Sequence, residues 1–300
     1  MRIKQLKLEF FYLRKAFFEY HRGFSYLRNR YGTAKKVLSW QTPLDHAPTR
    51  DDVSVHVLTC HRDMVMLCWS LASYYRVGKV FGELFIHNDG SLTGEDEAII
   101  HRLFPHAQLV DTRAFLDDYK EELAIYPLAR EWRAKPKFFL LKKLIDQYFV
   151  SQKPLRLVID SDLLWFVHPT DLEKMFESWQ MPSLMIQNNM PAPVFFKDGA
   201  AIDERTASFN SGIVLYHRDS FNLDRLTEYL SRVDEADNRN VHFIEQAGFA
   251  YCLDKLSALP LEQYHIKGEV TSQTIVKHYT SPRRPLIYIE GIPRLHKFIL

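Results

Sequence analysis

Several common classes of protein are excluded by what this sequence lacks. Its three cysteines, Cys60, Cys68 and Cys252, fall in no metal-ligand spacing. Two of them sit in apolar stretches, which predicts free buried thiols in a reducing compartment. No run of eighteen apolar residues occurs, so no transmembrane helix is expected. The N-terminus has no uninterrupted apolar segment of the kind that precedes a signal-cleavage site. Together these absences point to the cytosol. There is no internal repeat and no low-complexity segment. Neither sign of charge predominates, with 39 Lys/Arg against 37 Asp/Glu.

The charge is unevenly placed. Residues 1–40 hold ten of the basic residues and two of the acidic ones, which leaves 29 against 35 for the rest. The main body is therefore mildly acidic, and no nucleic-acid partner is expected. The basic segment "FFYLRKAFFEYHRGFSYLRNRYG" interleaves aromatics with cations at helical spacing. Three readings arise for residues 1–40: an amphipathic helix packed on the main domain, peripheral contact with an anionic membrane surface, and, as the remainder, RNA binding.

From Asp51 onward, apolar strands alternate with amphipathic helices. "VSVHVLT" (53–59), "GELFIHND" (82–89), "AQLVD" and "LRLVID" read as strands. "DMVMLCWSLASYYRV" (63–77), "GEDEAIIHRLF" and "KFFLLKKLIDQYFV" (137–150) read as helices. Continuous apolar strands between helices predict an α/β fold with a mainly parallel sheet covered on both faces. Further on, "SLMIQNN" and "GIVLYH" read as strands, 223–236 and 241–256 as helices, and 197–208 as a loop. The chain after Leu261 reads as mostly irregular. The expected organisation is an N-terminal helical extension over 1–50 and a single domain over 51–300.

Ligands in such sheets collect beyond the carboxyl ends of the strands. There, "LRLVIDSDLLWFVHP" places Asp160 and Asp162 one residue apart. Alternation along a strand points both the same way, with Ser161 opposite. Two converging carboxylates form a site for a hard divalent cation, Mg2+ or Mn2+. The bland alternative is that they cap the next helix, but that helix has its own signal in Thr170-Asp171-Leu172-Glu173 after Pro169. "SFNSGIVLYH" places Asn210 and Gly212 before an apolar strand, and "FIEQAGFAYCL" places Glu245 and Gln246 in an otherwise apolar helix. "HYTSPRRP" adds His278 and Arg284. Composition alone makes His61, His87 and His217 equal candidates for completing a metal site.

In this order, the stretches resemble a GT-A-fold glycosyltransferase, and most of all the retaining family 8. The resemblance runs from about Ser54 to Leu295. It implies a GT-A-like single domain in which Asp160 and Asp162 bind Mn2+ held by the diphosphate of a nucleotide sugar. "HYTSPRRP" matches that family's His-Tyr-x-x-Pro-x-Lys-Pro segment, which puts His278 third on the metal and Arg284 on the diphosphate. "FNSGIVL" puts Asn210 at the donor sugar, and Glu245-Gln246 takes the place of an Asp-Gln pair near the reacting carbon. Leu286 departs from the usual tryptophan. Thr59, His61 and Asp89 are the expected base and ribose contacts, Lys137 and Ser161 further donor contacts. The implied partners are a nucleotide-sugar donor, with UDP the expected nucleotide, and an acceptor that is a glycan, a lipid-linked sugar or a protein. A nucleotidyltransferase of related fold is the first rival, but "TCHRDMVMLCW" lacks the glycine-rich loop such enzymes carry there. A non-catalytic nucleotide-sugar-binding module is the second.

Overall fold

The computed structural model describes residues 2–177, 182–238 and 240–299, so Met1 and Leu300, at the ends of the two expected segments, lie outside it. The strands are β1 (Val53–Thr59), β2 (Glu83–Asn88), β3 (Gln108–Asp111), β4 (Leu155–Asp160) and β5 (Leu163–Trp165), followed by β6 (Leu184–Gln187), β7 (Phe209–His217), β8 (Ser257–Ala258), β9 (Tyr264–His265) and β10 (Val276–His278). Among the described residues the central sheet has the order β3-β2-β1-β4-β7-β6-β8, and a small second sheet the order β5-β10-β9. β3, β2, β1 and β4 run parallel. β7 is antiparallel to both β4 and β6. The sheet is thus mainly parallel, as the apolar runs predict, with an antiparallel strand next to its centre.

The period-two alternation of the strands divides the core. Leu155, Leu157 and Ile159 of β4 face one apolar cluster with Val53, Val55, Val57, Ile213 and Leu215. Val158, Val214 and Tyr216 face the other, under the helices Leu141–Val150 and Val241–Cys252. Asp160 has the parity of Val158, so it emerges on the face those two helices cover.

Four expectations change in detail. The chain after Leu261 is not irregular: it forms β9, β10, a π turn Ile287–Gly291 and the helix Ile292–Ile299. The helix expected from Lys137 begins at Leu141, because Pro136–Phe138 is a separate 3-10 turn. The loop 197–208 contains the short helix Glu204–Ala207, capped by Asp203. The Thr170–Glu173 capping box does not form, since the Glu173 carboxylate instead accepts from the backbone N–H groups of Lys79 and Val80. The N-terminal extension packs into the main core through Tyr12, Ala16, Tyr26, Ala34 and Val37.

Candidate functional site

The strand-end carboxylates meet the distant imidazole through the small second sheet. β5 begins one residue after Asp162, and β10 ends at His278. The two strands pair antiparallel, with His278 opposite Leu163. The Tyr279 N–H donates to the Asp162 carbonyl at 2.9 Å. This register carries His278 across 116 residues to place its Nε2 3.1 Å from Asp162 Oδ1 and 3.3 Å from Asp160 Oδ2. One ligand atom from each of the three lies within 4.8 Å of the other two.

The other side of the imidazole is fixed by Asn210. The Gly212 N–H donates to Asn210 Oδ1 at 2.9 Å, which orients the amide with its oxygen toward the ring. An amide oxygen only accepts, so His278 Nδ1, 2.9 Å away, carries the hydrogen. Nε2 is left to face both carboxylates, the arrangement in which a metal-ligating histidine is normally held. Gly212 is required for this packing, because a Cβ there would lie 2.4 Å from His278 Nδ1.

Both aspartates also have cationic partners. Lys143 Nζ lies 2.7 Å from Asp160 Oδ1, 2.6 Å from the Ser211 carbonyl and 3.2 Å from Glu245 Oε1. Arg284 places Nε and Nη2 3.0 Å from Asp162 Oδ2, and Nη1 3.0 Å from Asp63 Oδ1. Burial pushes the Asp160 and Asp162 carboxyls upward, but these cations and His278 outweigh it and hold both below the usual range. His278, despite its burial, is pushed up to about 9 by Asp162 and Asp160. Glu245 is shifted the other way, upward by burial against the opposing pull of Lys143.

These groups line one cavity of about 710 Å3 at the carboxyl ends of β1 and β4. Thr59 and Asp89 stand on its wall, and the Thr59 hydroxyl is buried there without a hydrogen-bond partner. Gln246 also lines it, its side-chain oxygen accepting from Asn188 and Asn210. Ser161 lines it as well, contrary to strict alternation. β4 ends at Asp160, and residues 161 and 162 form a turn, so Asp162 is aimed by the turn rather than by the pleat.

Two expected contacts lie elsewhere. His61 is exposed, and its Nδ1 lies 2.7 Å from Asp96 Oδ2, within the capping box that opens the helix Gly94–Leu103. Lys137, on the 3-10 turn, points out and donates to the Glu235 carbonyl at 2.7 Å. Nor do the other histidines of the sequence reading reach the cavity. His87 is buried against His56 at 3.0 Å, and His217 accepts from the Asp219 N–H in the turn after β7. Sequence reasoning missed Lys143, and also Arg62 and Asp63, which follow β1 and line the cavity beside Arg284. The signal for Lys143 was present in "FLLKKLID": a lysine on the covered side of a helix needs a counter-charge.

No protein-family model matches this sequence, and no curated protein does. Solved structures do match. The apo structure of the bifunctional glycosyltransferase WbbM aligns with a TM-score of 0.50 at 11% identity, over 85% of this chain and 52% of that one. The fold is of the GT-A type. The apo form of mouse xyloside xylosyltransferase 1 gives 0.48 at 12% identity, over 77% and 98%. The galactosyltransferase LgtC in complex with donor and acceptor sugar analogues gives 0.47 at 10%, over 76% and 87%. At 11% identity the likeness to WbbM establishes architecture alone. This chain spans about half the length of WbbM.

Proposed function

We propose that this protein is a metal-dependent glycosyltransferase of the retaining, family 8 kind. It would move a sugar from a nucleoside-diphosphate sugar, with UDP the favoured nucleotide, to an acceptor hydroxyl. The observation that carries the reading is the convergence of Asp160, Asp162 and the Nε2 of His278 within one large cavity at the strand ends of a GT-A fold.

The residues fit Mn2+ or Mg2+: two carboxylates and one imidazole nitrogen whose ring hydrogen is already committed to Asn210. A bound ion would supply positive charge to the diphosphate; as the sugar–phosphate bond breaks, the acceptor oxygen bonds the anomeric carbon and its hydroxyl proton passes to the departing nucleoside diphosphate. The chain's own groups do the rest. Arg284, fixed by Asp162 and Asp63, presents a second positive charge to the departing nucleoside diphosphate without having to reorganise. Asn210 positions the His278 ring and joins it to Gln246. Glu245 and Gln246, both on the cavity wall, would support a sugar that becomes cationic, and Lys143 holds Glu245 in place. Thr59 and Asp89, at the ends of β1 and β2, are the base and ribose contacts; Ser161 completes the donor side.

A thermal-shift panel of nucleotide sugars, with Mn2+ or with EDTA, tests the reading. One donor should stabilise the protein only when metal is present, and nucleoside diphosphate should appear on adding an acceptor. Equal stabilisation in EDTA, or in Asp162→Ala, overturns it.

A further inference from the structure

Residues 2–39 fold as two helices, Arg2–Arg14 and Gly23–Tyr31, joined through the π turn Lys15–Glu19 and followed by the 3-10 segment Thr33–Ser39. Their inner faces supply the core residues named above. A helix that only packs on its own domain keeps its outer face polar, and this pair does not. Leu6, Phe10, Phe18 and Phe24 are 68%, 69%, 77% and 82% exposed. Leu6 and Phe10 stand one turn apart on the same side of the first helix. The Phe17 ring packs over Gly23 and against Phe24 at 5.5 Å, which ties the start of the second helix to the π turn that carries Phe18.

The exposed cations Lys7, Arg14, Arg22, Arg28, Lys35 and Lys36 are interleaved with these side chains. The two acidic residues of the segment are already occupied, Glu9 by Arg30 and Glu19 by Lys15. Apolar tips among unmatched cations fit the boundary between acyl chains and anionic headgroups, where the tips sink and the cations stay at phosphate level. No helix among the described residues is long and apolar enough to cross a membrane, so the contact would be peripheral. The surface is also tied to the cavity: Tyr12 Oη lies 3.5 Å from Ser281 Oγ, and Ser281, Pro282 and Arg283 line the cavity wall.

We propose that this helical pair is a docking surface for an anionic phospholipid bilayer, seating the cavity beside the membrane. If the transferase reading holds, on which this last step rests, the acceptor is then a sugar carried on a lipid.

The full chain should sediment with vesicles of equal parts phosphatidylglycerol and phosphatidylcholine, not with phosphatidylcholine alone, and high salt should weaken the binding. Phe10→Ser/Phe18→Ser/Phe24→Ser should abolish it at an unchanged melting temperature. Arg14→Ser/Arg28→Ser should weaken it about 25-fold, from about fivefold per cation at an anionic surface. Mn2+ affinity by calorimetry should be the same in wild type and both variants, so a failed transferase reading would leave the vesicle result standing. Equal binding to both vesicle types, or triple-variant binding equal to wild type, overturns the proposal. So does a wild-type dimer that the triple variant converts to monomer without any vesicle binding, since the patch would then cover a second copy.

Discussion

Gly212→Ala tests whether the His278 ring is held where the chemistry needs it. An alanine Cβ would stand 2.4 Å from His278 Nδ1, 2.7 Å from Cε1 and 2.9 Å from Asn210 Oδ1. Heavy atoms in good contact keep about 3.5–4 Å apart, so the ring must retreat by about 1 Å. Retreat into the aspartates is blocked, because Nε2 already lies 3.1 and 3.3 Å from their oxygens. The ring must tilt or leave, and metal–ligand distances tolerate only about 0.2 Å. Disturbing a residue that merely orients a ligand costs about 10–100-fold in affinity, so loss of the ligand itself should cost at least about 100-fold in Mn2+ affinity. Isothermal titration measures it, with Gly94→Ala as the control, since a Cβ there meets nothing within 4 Å. If Gly212 acts only through His278, Gly212→Ala/His278→Ala should bind no more weakly than His278→Ala. Mn2+ affinity of Gly212→Ala within a few-fold of wild type would refute the reasoning, as would additive losses in the double variant.

Asp160→Ala and Asp162→Ala should each raise the barrier to donor turnover by about 3 kcal/mol or more, and activity that persists in EDTA in wild type and both variants would contradict this. Lys143→Met strips the half-buried Asp160 and the buried Glu245 of their shared counter-charge, so urea unfolding should show a loss of about 3 kcal/mol, partly restored by adding Glu245→Gln. Because His278 keeps its proton up to about 9, its ordinary value being 6.5, its charge contributes stability that is complete below 6.5 and lost as pH rises through about 9. A metal must displace that proton, so Mn2+ affinity should fall about tenfold for each pH unit below about 9, with proton release seen by calorimetry in two buffers.

The paired aspartates were legible because apolar β4 runs straight into them. Burial on that scale requires partners for both acids, whatever the fold. His278 was legible only through the spacing of "HYTSPRRP", since nothing local separates it from His61 or His87. Its placement depends on β5–β10 pairing across more than a hundred residues, which period and propensity do not encode. Asp63 illustrates the same limit, meeting Arg284 across 221 residues. Lys137 was singled out as opening the helix over 137–150, and Lys143 within that helix was passed over. The 3-10 turn Pro136–Phe138 leaves Lys137 outside the helix Leu141–Val150, donating to the Glu235 carbonyl, while Lys143 sits inside that helix and reaches the cavity. The packed-helix reading of the N-terminal segment holds for its inner face, while Phe10, Phe18 and Phe24 remain outside and leave the membrane reading to the vesicle test.

The cavity's charges also decide what a metal could contribute to stability. Asp160 is paired with Lys143 and Asp162 with Arg284, each through contacts of 2.7–3.0 Å, and His278 is shared between them. Buried charge already paired and hydrogen-bonded in this way gives no large reason to unfold when metal is withdrawn. A structural zinc site behaves differently, because its ligands have no other partner and removing the ion removes the fold. Here EDTA should lower the melting temperature only by the mass-action term, which grows with the logarithm of metal concentration and vanishes well below the dissociation constant. Unfolding in chelator at ambient temperature would mean that Lys143 and Arg284 do not hold these aspartates. The ion would then be part of the framework, and not a reagent that enters with the donor.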